Sequence, residues 1–385
     1  MIRHRFERLI GQCKTLLGVG PMSLNCVDAA IELANEHNVP LMLIASRRQI
    51  DSEDFGGGYV NHWTTKEFAD YVIDRDKGGK IILARDHGGP WQSPSEVEDA
   101  LSLRRAMASA KRSFASDIEA GFDILHIDTS VDIHGVPTTE DVLDRLFELY
   151  EYCAEEAGFM KRAVSFEIGT EEQSGHTNSH RELEFILSRV MEFCGRSRLA
   201  PPLFVVVQSG TKVVEMKNIG SLDSPIRVAE EVAPEIQIPL VVDICNRYNI
   251  FMKEHNTDYL SDETLQWHPR LGIHVANVVP EFGVIETRAL VEILEENGLV
   301  GLSERFLEIS LGSKKWSKWM LPDTNATDRD RAIISGHYVF SRPEVVELKA
   351  EAASALQRKG IDLDLYLKNR VKTGIYRYLR NFRLV

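Results

Sequence analysis

At 385 residues, with 43% hydrophobic and 27% charged residues, the chain can bury a full core, as one large α/β barrel or as two domains. The formal net charge of −13 excludes general affinity for nucleic acid, and no apolar run reaches the length of a membrane span. Five scattered cysteines with no CxxC pair exclude a disulfide framework and a structural Cys zinc site, and the absence of an apolar signal core makes a cytoplasmic location the expectation.

The elements follow one another as alternating strands and helices. An apolar run at 15–19 ends in Gly20-Pro21, and Ser23 caps a helical stretch to Asn38 with Val27, Ala30, Ile31 and Ala34 on one face. A buried strand at 40–45 ends in Ser46. A Gly56-Gly57-Gly58 loop and a helix at 64–74 come next. Ile81-Ile82-Leu83-Ala84 runs into Arg85-Asp86-His87 and is stopped by Gly88-Gly89-Pro90. A helix over 93–120 is closed by Gly121. A strand at 123–130 with polar residues at its end follows, then a helix at 138–157, a strand at 163–169 and a helix at 179–194. A strand at 203–207 is followed by Gln208-Ser209-Gly210-Thr211-Lys212, and a short helix by 224–232. Residues 240–244 fit either a strand or a helix. A short apolar run precedes His255, a strand is expected at 271–275, and a helix at 281–296.

Strands alternating with helices predict a parallel sheet with right-handed crossovers. About eight βα units with short, wholly apolar strands favour a closed (β/α)₈ TIM barrel, and no G-x-G-x-x-G follows the first strand. The expected barrel spans 1–300. Residues 301–385 lack the alternation and read as a helical C-terminal extension, with Trp316, Trp319 and Tyr338 as a candidate contact surface for a homo-oligomer.

In such a barrel the strand C-termini open on one face, so distant residues converge. The candidates are Ser46, Asp86, His87, Asp128, Ser130, Glu167, Glu171, Gln208, His255, Asp258, His274 and Asn277. Two or three imidazoles with carboxylates suit a divalent metal, zinc first and manganese second. His126, in mid-strand, reads as a hydrogen-bonded core residue, and His268 as a surface one.

The Asp-His-x-Gly-Pro motif at Asp86 to Pro90, the His-x-Thr-Asp-Tyr motif at His255 to Tyr259, Phe55-Gly56-Gly57-Gly58-Tyr59 and the aromatic-basic stretch at 375–383 bring a family into view. The sequence resembles the tagatose-bisphosphate aldolase accessory-subunit family, itself similar to the zinc-dependent class II aldolases. The resemblance implies a TIM barrel in carbohydrate metabolism and one of two roles. One is a class II aldolase-like lyase or epimerase acting on a ketose, ketose phosphate or sugar acid through an enediolate. The other is a non-catalytic subunit that stabilises an aldolase catalytic subunit.

By position the resemblance makes His87 a metal ligand, Asp86 the proton donor, and His255 the later histidine ligand. Glu167 and Glu171 match acidic positions, taken as a metal ligand and a second proton-transfer group. Asp128 and Ser130 resemble the Asp-Gly-Ser strand end of those enzymes, with Thr129 in place of glycine. The histidine expected after the 203–208 strand is missing, and His274 is the candidate to fill the gap. Substrate contacts fall to Ser46, Asp128, Ser130, Gln208, Asp258 and Asn277. Ser209, Gly210 and Lys212 form a candidate phosphate loop, the alternative being an ordinary loop and an unphosphorylated substrate.

Overall fold

The computed structural model describes residues 2–169, 179–224 and 232–385. Eight parallel strands close a barrel: β1 (Leu16–Val19), β2 (Leu41–Ser46), β3 (Ile81–Gly88), β4 (Ile124–Asp128), β5 (Ser165–Gly169), β6 (Phe204–Val207), β7 (Phe251–Glu254) and β8 (Val275–Val278). Each strand pairs with the next in the chain, and β8 returns to β1 with Leu16 opposite Val275. This is the TIM barrel that the alternation predicts. Helices cover the outside and side chains fill the inside, so runs such as Leu41-Met42-Leu43-Ile44-Ala45 are buried on both faces. No helix among the described residues is long and apolar enough to cross a membrane.

Local chemistry sets most boundaries. The Thr64 side chain accepts the Glu67 N–H while Glu67 reaches back to Thr64, starting the helix Thr65–Arg75. Gly121, at φ 90°, ends Leu103–Ala120 in the left-handed region. Three boundaries differ from the sequence expectation. The helix expected over 93–120 is broken into Pro94–Glu98 and Leu103–Ala120, with Ala100 at φ 46° between them. The ambiguous stretch 240–244 lies inside the helix Pro234–Arg247. The expected strand at 271–275 is preceded by an unforeseen helix, Asp262–Leu271, capped by Gly272, so β8 starts only at Val275. Most of the short helix expected at 224–232 lies outside the described residues.

Past β8, the helix Pro280–Glu296 is shared between two cores. Its Leu290 and Leu294 join Phe306, Val345, Leu348 and Leu356 of the extension in a second apolar cluster. Each such buried leucine contributes roughly 1.5–3 kcal/mol. The last helix, Leu363–Asn381, returns to the barrel: Tyr378 and Leu379 enter the main core, and Lys368 and Lys372 pair with Glu32. The extension is thereby fastened across the barrel.

Candidate functional site

The C-terminal mouth is built from β3, β4, β5 and β7. The β3–β4 register shifts between Arg85 and Gly88, and His87 sits at φ 45°, an uncommon conformation for a side-chain-bearing residue. Arg85 turns outward and is clamped by Asp117 at 2.6 and 2.8 Å, while Asp86 faces the barrel axis. His126 on β4 stands directly opposite Glu167 on β5. His255 follows β7.

Four of these side chains meet. Asp86, His126, Glu167 and His255 each offer one ligating atom, all within 4.8 Å of one another. His126 Nδ1 lies 3.5 Å from Glu167 Oε1 and 3.7 Å from Asp86 Oδ1. His255 Nε2 lies 3.4 Å from Glu167 Oε1 and 3.7 Å from Asp86 Oδ1. Ligands about 2.0–2.2 Å from a tetrahedral ion are separated by roughly 3.3–3.6 Å, so these spacings suit a divalent cation with little rearrangement. Asp86 Oδ1 is buried without a hydrogen-bond partner, which leaves it available. Two partners compete for the cluster: His126 Nδ1 accepts the His87 backbone N–H at 3.1 Å, and Glu167 Oε2 is held by the buried Lys253 ammonium at 2.6 Å.

The electrostatics follow from this crowding. Burial pushes the Asp86 carboxyl up, but His87, His255, His126 and Lys253 together hold it far below the usual carboxylate range. Glu167 is depressed in the same way, chiefly by Lys253 against its burial. His255 is pushed down by burial in spite of Asp86 and Glu167, which favours the neutral form that ligates. Burial also pushes His87 down, yet Asp86 and Asp128 raise it to about 9.

The other predicted residues separate into those at the cavity and those elsewhere. Ser46, Asp86, His87, His255, Asp258 and Asn277 line a mouth cavity of about 210 Å³. His87 stands beside the four-residue cluster rather than in it, its ring centred 4.9 Å from that of His255. Asp128 and Ser130 lie behind His87: Asp128 accepts His87 Nδ1–H at 2.6 Å and the Ser130 hydroxyl at 2.6 Å. Asp258 accepts the Val279 and Glu281 N–H groups, and burial beside Glu281 raises it to about 8. Gln208 is buried at the end of β6. Ser209 is buried, and Gly210 packs against Ser221 and Gly220, so this turn is no open anion cradle. Lys212 is exposed, its backbone N–H donated to Asn218.

His274 does not join the site. It precedes β8 instead of ending it, so it sits at the opposite, N-terminal end of the barrel, where its Nδ1 accepts the Met252 N–H at 2.8 Å. His268, expected on the surface, is buried against Glu254 at 2.6 Å. Glu171 lies outside the described residues. His126 is the main omission from the predicted set: it is buried as expected of a core residue, but its ring faces the cluster. Gly169 is the accompanying signal, since a Cβ there would lie 2.5 Å from His126 Nε2. The cavity also takes Arg48, Tyr59, Lys318, Trp319 and Tyr338, none of them predicted as site residues.

Residues 10–186 match the family described as D-tagatose-1,6-bisphosphate aldolase subunit GatZ/KbaZ-like. This is the family that the motifs resemble. The matched stretch runs from before β1 into the helix after β5 and contains Asp86, His126 and Glu167. Among solved structures, this chain is similar to a probable tagatose 6 phosphate kinase from Sinorhizobium meliloti 1021, with a TM-score of 0.74 and 18% identity over 96% of this chain and all of that one. It is also similar to fructuronate-tagaturonate epimerase from Cohnella laeviribosi, with a TM-score of 0.60 and 11% identity over 96% and 81% of the two chains. A fructose-bisphosphate aldolase from Campylobacter jejuni matches with a TM-score of 0.56 and 10% identity over 100% and 94%. At these identities the three establish the fold alone.

Proposed function

We propose that the barrel mouth is the active site of a divalent-metal-dependent enzyme acting on a ketose, ketose phosphate or related sugar acid, by aldol cleavage or epimerisation through an enediolate. The observation that carries this reading is the buried set Asp86, His126, Glu167 and His255, whose donor atoms lie within 4.8 Å of one another, with imidazole–carboxylate spacings of 3.4–3.7 Å and an Asp86 oxygen without a hydrogen-bond partner. These four would hold the ion, zinc or manganese by the mixed nitrogen and oxygen set. A bound ion of this kind supplies Lewis acidity at the sugar carbonyl.

His87 is the proton carrier in this account. Its Nδ1–H is fixed on Asp128, which Ser130 and Gln92 orient in turn, leaving Nε2 as the exchanging position. Asp86, taken from the sequence as the proton donor, becomes a ligand. Asn277 brings a buried amide with neither atom hydrogen-bonded to the cavity wall, suited to orienting a sugar hydroxyl.

The test is hydrogen exchange. Zinc- or manganese-loaded protein in D₂O, offered ketoses, ketose phosphates and keto-uronates, is expected to exchange the hydrogen next to the carbonyl of one class, by proton NMR. His126→Ala should abolish that exchange. A metal-loaded protein that exchanges none of them contradicts the proposal.

A second reading is a non-catalytic partner of an aldolase catalytic subunit. It is favoured by the family description as a subunit and by Lys253, whose charge already neutralises Glu167. Co-purification that stabilises such a catalytic subunit, with no exchange by this chain alone, is its signature.

A further inference from the structure

Beside the mouth cavity lies a second one of about 700 Å³, and Arg48, Tyr59, Lys318 and Tyr338 line both. Arg48 follows β2. Lys318 comes from the short turn Ser317–Trp319 of the extension, and Lys314 and Lys315 just before it line the second cavity too. Four cations therefore gather on one wall of a chain whose net charge is −13. Among the described residues none of the four has a carboxylate at ion-pair distance.

The neighbouring charges underline the point. Arg47, at the same wall, is saturated by Asp51 at 3.0 Å and Glu96 at 2.5 Å and is structural. Asp51 is further engaged by Ser113, which leaves Glu98 as the other carboxylate facing the cavity. The Lys318 ammonium stands 4.5 Å from the Trp319 ring and 5.6 Å from the Tyr338 ring. Desolvation, then the Arg48 and Lys315 charges, push it down to about 8, which records cations crowded without a counter-charge.

We propose that this second cavity binds the terminal oxyanion, phosphoryl or carboxylate, of a sugar whose carbonyl end lies at the Asp86–His255 cluster. The proposal rests on the sugar-site reading of the mouth. It moves anion recognition from the 209–212 turn, where Ser209 and Gly210 are packed in, to a wall formed by Arg48 and the extension. Arg48 offers a planar fork that matches an oxyanion, and the lysines add point charges. The extension thereby becomes part of the substrate site.

The test is calorimetric titration of the metal-loaded full chain with inorganic phosphate and, separately, with acetate as the carboxylate probe. Phosphate is expected to bind wild type and to bind about tenfold or more weakly to Lys314→Ala/Lys315→Ala and to Lys318→Ala, equivalent to about 1.4 kcal/mol or more. Lys318→Arg should retain binding, and metal content should be unchanged in all three, which separates loss of the site from misfolding. Acetate binding with the same sensitivity, and no phosphate binding, assigns the carboxylate form. Anion binding that disappears in these variants, in a wild type that exchanges no substrate hydrogen, keeps this site and removes only the enzyme reading. Failure of both anions to bind wild type, or equal phosphate binding by wild type and variants, overturns the proposal.

Discussion

At the N-terminal end of the barrel, His274 accepts a backbone N–H, packs 5.3 Å from the Phe251 ring, and is pushed by burial to about 4. At the C-terminal mouth, His126 and His255 lie with ring centres 5.4 Å apart between two ionised carboxylates, and Asp86 Oδ1 has no hydrogen-bond partner. Both places bury imidazoles. One closes the hydrogen-bond account of a strand end, and the other gathers four side chains with ligating atoms within 4.8 Å of one another, one of them the Asp86 oxygen without a hydrogen-bond partner. Burial of a histidine therefore says little about its role. What surrounds the ring, and whether those neighbours are already satisfied, separates a packing residue from a ligand.

The largest effect that would sharpen this contrast comes from Glu167→Ala. It leaves Lys253 charged and buried without its 2.6 Å partner, so about 3–5 kcal/mol of stability should be lost in urea unfolding. Pairing the change with Lys253→Met should recover much of that loss without restoring metal binding. At the opposite end, His274→Ala should cost about 1–3 kcal/mol, because the Met252 N–H loses its acceptor, while metal content stays at the wild-type level. A fall in bound metal in that variant would erase the distinction between the two ends.

A smaller effect belongs to the extension. His337 is buried with neither ring nitrogen hydrogen-bonded, and burial, assisted by Lys318, holds it down to about 3. In the unfolded chain it titrates near 6.5, so between these values the unfolded state binds more protons than the folded one. Stability should then be lost as the pH falls from about 6.5 towards 3, by at most about 1.4 kcal/mol per pH unit. His337→Phe should flatten that slope in thermal melts across the acid range. An unchanged slope would show that His337 finds a partner.

Much of this architecture was legible from the residues. Unbroken apolar strands and capped helices announced the closed barrel, and Asp86, Glu167 and His255 were placed near one another by topology alone. The start of the last strand is not legible in the sequence because Leu271-Gly272-Ile273-His274-Val275 looks like one apolar run. In fact Gly272, at φ 82°, ends a helix, and the displacement puts His274 at the wrong end of the barrel for a ligand. The mid-strand position of His126 fixed its depth but not its neighbours; those follow from its cross-strand register with Glu167. Lys253 carries no signal in the sequence because a buried lysine becomes intelligible only with its partner, 86 residues away in the chain. The cationic wall depends on how the extension folds back over the mouth, which composition and periodicity do not specify.

The central claim, that Asp86, His126, Glu167 and His255 bind one divalent ion, is tested most directly by elemental analysis with equilibrium dialysis against zinc and manganese. The account predicts one tightly held ion per chain in wild type, and its loss in His126→Ala and in His255→Ala while both variants remain folded. Wild type that holds no ion in excess metal, or a His126→Ala protein that holds it as firmly as wild type, would contradict the account.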